Sequence, residues 1–61
     1  MNMTTVNQIM LTLAEHGKAH VVTDRPLVAR QIFREAARKD GAYVRIDIVE
    51  GGINLRLRRF A

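Results

Sequence analysis

The apolar positions change period along this chain, and the changes mark its elements. Val6, Ile9, Met10 and Leu13 fall at i, i+3, i+4 and i+7, one stripe of an α-helix over 6–16. Thr5 with Gln8 three residues later fits a capping box at its start, and Gly17 is placed to stop it. Leu11 lies off the stripe and is expected at the surface. A short strand is expected over 19–23, around His20-Val21-Val22. Over 25–39, Val28, Ala29, Ile32, Phe33 and Ala36 share one broad face at 100° per residue, which predicts a second amphipathic helix. Thr23 or Asp24 can cap it, Pro26 suits its first turn, and Asp40-Gly41 ends it.

Beyond Gly41 the period drops to two. Val44, Ile46 and Ile48 alternate with Arg45 and Asp47. Ile53, Leu55 and Leu57 then alternate with Asn54, Arg56 and Arg58. Two alternating runs joined by Gly51-Gly52 predict a β-hairpin, because primed turns need positive φ. A turn centred there would place Ile48 opposite Leu55 and Ile46 opposite Leu57. The polar side would then pair Asp47 with Arg56, Arg45 with Arg58 and Tyr43 with Phe60. The expected fold is α+β, ordered α-β-α-β-β over a single domain of residues 1–61. Two helices would pack on one face of a small three-stranded sheet that ends in the hairpin.

Length and charge narrow the chemistry. Sixty-one residues hold a small core, and without cysteine neither a disulfide nor a thiolate metal site can reinforce it. A homodimer is therefore expected. No stretch reads as a leader or as a membrane span, which needs about 20 apolar residues, and a cytoplasmic location is expected. Serine is absent too, and no phosphate-cradling glycine loop is present. Neither an enzyme nor a cofactor is expected. His16 and His20 are four apart, but Gly17 interrupts the helix that would pair them, so no metal is expected either.

The net charge is +4, and residues 24–61 carry all of the excess. Eight of the ten cations are arginine, whose planar fork of donors suits phosphate and carboxylate. Arg30, Arg34 and Arg38, spaced i, i+4 and i+8, would line one ridge of the second helix for about 12 Å. Such a row can follow a phosphate backbone, although a row of charges also serves as an ordinary solvated face. Arg45, Arg56 and Arg58 would share the polar side of the hairpin with Tyr43 and Phe60, and Arg59 extends the basic terminus. Aromatic rings there could stack on bases while the arginines hold phosphates.

A helix, a short strand, a helical region and a basic glycine-turned hairpin make the chain similar to the winged helix-turn-helix outline. No motif of that family matches residue by residue, and the expectation of nucleic-acid binding rests on the arginine excess of the long helix and hairpin. The outline here is incomplete, because residues 24–40 hold one uninterrupted helix where that fold has two. The leading expectation is a small basic protein that binds DNA or RNA, as a transcriptional or mobile-element regulator does. Its contacts would be Arg30, Arg34, Arg38, Tyr43, Arg45, Arg56, Arg58 and Arg59. The alternative is an interaction module, a small inhibitor or an assembly subunit, docking on an acidic protein surface.

Overall fold

Phe33, with none of its surface exposed, sits at the centre of the core. Around it close Val6 and Leu13 from one helix, Ala29 from its own, and Val21, Ile53 and Leu55 from the strands. The computed structural model describes residues 1–58. Its order is α1 (Met3–His16), β1 (Lys18–Val22), α2 (Pro26–Lys39), β2 (Tyr43–Val49) and β3 (Gly52–Arg58). The three strands form one antiparallel sheet in the order β1-β3-β2, so β3 is central. Helix α1 packs chiefly on β1 and α2 chiefly on β2, and both reach β3. The fold is thus α+β, with two helices on a small open sheet. Among the described residues, no helix is long and apolar enough to cross a membrane.

Both helices follow their apolar stripes, with three local differences. Helix α1 starts at Met3 rather than after Thr5, because the Asn2 side chain accepts from the Thr5 N–H at 2.8 Å and caps it. Helix α2 has Arg25 at its N-cap with no side-chain cap bond. The Thr23 hydroxyl instead accepts from the Arg25 N–H at 3.0 Å, in the turn just before the helix. The buried face of α2 is also rotated from the expected one. It centres on Ala29, Phe33 and Ala37, each one turn from the next, which carries Val28 out to 54 % exposure.

The hairpin forms, but not in the expected register. The chain turns at Glu50-Gly51, so Val49 faces Gly52, Ile48 faces Ile53, Ile46 faces Leu55 and Val44 faces Leu57. Tyr43 faces Arg58, and Phe60 lies outside the described residues. The turn has positive φ only at Gly51, at 81°. That is the sign pattern of a type II turn, which needs one glycine and not two. Gly52 belongs instead to β3, where a Cβ would overlap the Val21 carbonyl oxygen and come within 3.2 Å of the Thr23 nitrogen. The missing side chain lets β1 and β3 converge, and the Thr23 N–H reaches the Gly51 carbonyl at 3.1 Å. Moving the turn by one residue displaces the pairing by two. An even displacement keeps every side chain on its expected face. Ile53 and Leu55 are buried, Ile46 and Leu57 are half-buried, and Ile48, near the turn on edge strand β2, remains 46 % exposed.

The two turn glycines should therefore respond differently to alanine. Gly51→Ala meets no neighbour and pays only for its left-handed backbone, about 1–2 kcal/mol. Gly52→Ala must push two strand backbones apart, and should cost about 3 kcal/mol. Thermal melts of both variants check this, and an equal or smaller loss for Gly52→Ala would contradict the close crossing.

Candidate functional site

Because β1 lies beside β3, the face of the sheet turned away from the helices is built from all three strands. Strand parity puts Lys18 and His20 of β1, Asn54, Arg56 and Arg58 of β3, and Tyr43, Arg45 and Asp47 of β2 on it. All of these are exposed. Their partners on the other face, such as Val21, Ile53 and Leu55, are the buried ones. The registers then align the open-face residues in rows across the sheet. Tyr43 faces Arg58. Lys18 faces Arg56, which faces Arg45. His20 faces Asn54, which faces Asp47. Val22 faces Gly52, which faces Val49.

The second row places three cations abreast. With strands about 4.8 Å apart, it spans roughly 10 Å, and Arg58 adds a fourth cation one step along β3. Asp47 is the carboxylate that the strands bring to this face among the described residues. It takes Arg45, whose Nε lies 3.3 Å from Asp47 Oδ2. In the row between, His20 Nδ1 lies 2.6 Å from Asn54 Oδ1. With that oxygen as acceptor, Nδ1 carries the hydrogen and the ring is fixed across the strands. A broad depression of about 630 Å³ overlies these groups, its lining including Lys18, His20, Arg45, Asp47 and Arg56, and also His16 from the end of α1.

The expected contacts thus divide between two layers. Arg45, Arg56, Arg58 and Tyr43 come together on the open face, although Arg45 opposes Arg56 and not Arg58. Arg30, Arg34 and Arg38 lie on α2, in the helix layer on the other side of the sheet, with Arg30 half-buried and the other two exposed. Arg59 lies outside the described residues. Lys18, His20 and Asn54 were not among the expected contacts. Their signal was present in the alternation of Lys18 and His20 with the apolar Ala19 and Val21, but only the β1–β3 pairing joins them to the arginines. His16 and His20 stand on a helix end and a strand, and no group of three or more metal-ligating side chains occurs among the described residues. No protein-family model, no curated protein and no solved structure matches the chain.

Like charges directly opposed across a ladder destabilise it. Arg56, flanked by Lys18 on one side and Arg45 on the other, bears that repulsion twice. Arg56→Gln should raise stability by about 0.2–1 kcal/mol at low ionic strength, and the gain should vanish near 1 M salt, where screening acts over about 3 Å. Denaturation at both salt concentrations checks this. A loss of stability in low salt would mean that the row is not repulsive.

Proposed function

We propose that the chain binds nucleic acid, with phosphates held by the cations of the open sheet face and, as a second contact, by the arginine ridge of α2. The observation that carries the reading is the row Lys18–Arg56–Arg45. Three cations abreast repel one another, and a polyanion laid across them turns that cost into attraction. Arginine supplies two of the three, and its fork of donors matches phosphate oxygens. Phosphate contacts of this kind set position without reading sequence. Self-association belongs to the same proposal, since a second copy would double the basic surface and add to a small core.

An acidic protein surface is the second reading. The observation in its favour is the exposed apolar side chains on either side of the β1–α2 connection, Val22 at 82 % and Leu27 at 62 % exposure. Interface cores draw on such side chains, and nucleic-acid backbones do not.

Salt dependence separates the two readings. The logarithm of the binding constant for mixed-sequence DNA and RNA should fall linearly with the logarithm of salt concentration. Each phosphate engaged contributes a slope near −0.9 on duplex and near −0.7 on single strands. Arg56→Gln should flatten that slope by about one phosphate's share, for every sequence alike. Failure to bind any nucleic acid at 50 mM salt would leave the acidic protein partner as the better reading.

A further inference from the structure

We infer that the open sheet face takes single-stranded nucleic acid in preference to duplex. This deepens the nucleic-acid reading and rests on it. The shape of the face is the first reason. The major groove of duplex DNA, about 12 Å wide, admits a helix or a two-stranded ribbon. This face is three strands wide, and β3, which carries Arg56 and Arg58, lies between two neighbours. The hairpin closes in a tight two-residue turn, so no long wing projects from it toward a groove. The four cations form a patch roughly 10 Å by 7 Å, which on a rigid duplex meets only the few phosphates of one ridge.

The sequence of rows is the second reason. Tyr43, 64 % exposed, stands across from Arg58 and two residues from Arg45 on the same strand. Next come the cations, then the hydrogen-bonding row of His20 and Asn54, which ends in Asp47 paired with Arg45, and last the apolar row of Val22 and Val49. An unpaired nucleotide offers a partner to three of the four: a ring to stack on Tyr43, a phosphate for the cations, and a free base edge for the Asn54 amide N–H and His20 Nε2, the groups left over from the bond between His20 Nδ1 and Asn54 Oδ1. In a duplex the bases are already stacked, and their groove edges lie out of reach of a face three strands wide. The four rows run about 20 Å along the strands, a length that suits on the order of four nucleotides.

Fluorescence anisotropy with labelled dT12, U12 and a mixed-sequence 12-base-pair duplex, all at 100 mM salt, tests this on the full chain. At least one single strand should bind about tenfold more tightly than the duplex, and the stronger of dT12 and U12 identifies the sugar. Tyr43→Ala should weaken the single strand about tenfold and the duplex by much less, and Tyr43→Phe should restore single-strand affinity. Both substitutions sit on the exposed face, and a thermal melt confirms that each variant folds. Duplex affinity equal to or above that of both single strands would overturn the inference while leaving the nucleic-acid reading in place. So would single-strand binding indifferent to Tyr43→Ala. No binding of any of the three probes would overturn both.

Discussion

Everything distinctive about this molecule depends on the pairing of β1 with β3. Strand β3 is apolar on its inner side, with Ile53 and Leu55 fully buried, and it needs a hydrogen-bonding neighbour on each edge. The hairpin supplies one neighbour. The other comes from a five-residue strand between the two helices. Gly52 allows the approach at one end, where any side chain would meet the Val21 carbonyl. At the other end the Gly17 carbonyl, just past the last residue of α1, accepts from the Leu57 N–H at 2.8 Å. The ladder therefore continues directly into the end of α1. The same pairing seats Val21 beneath the helices and turns Lys18 and His20 outward, next to Arg56 and Asn54. Core and candidate site are two faces of one interaction.

That arrangement sets stability against charge. A small domain has a thin margin, yet the sheet carries three cations in one row and a fourth beside them. Asp47 offsets only Arg45. Exposed like charges cost little individually, because water and salt screen them. The fold can bear the row, and the repulsion becomes a source of affinity once an anion neutralises it. The arginines of α2 differ in this respect. Spaced along a helix and separated by the sheet from the open face, they form a second basic surface and not a continuation of the first.

The sequence made the elements legible because each is set by a local period. The stripes of α1 and α2 and the alternation of β2 and β3 follow from residues three, four or two apart. The sides of the hairpin were legible for the same reason. Its register was not. Gly51 and Gly52 are equally good turn residues taken alone, and the choice between them rests on Val21, about thirty positions away. Val28 fits the apolar face of α2 by period yet lies outside the buried one, because a helical face is aimed by the elements it covers. Asn2 and Thr5 can both cap α1, and the earlier one does so because nothing in 3–5 interrupts the helix. The arginines and Tyr43 of the candidate site could be found from composition and parity. Lys18, His20 and Asn54 could not be joined to them without knowing which strand lies beside β3.

The central claim is that the open face of the sheet is the ligand face. Amide chemical-shift mapping during titration with dT12 tests it most directly. The account predicts that the largest perturbations, and the first to saturate, fall at Lys18, His20, Tyr43, Arg45, Asn54 and Arg56, on all three strands, with weaker and later changes along the α2 ridge. Perturbations confined to Arg30, Arg34 and Arg38 and their helical neighbours would contradict it and move the site to the other layer.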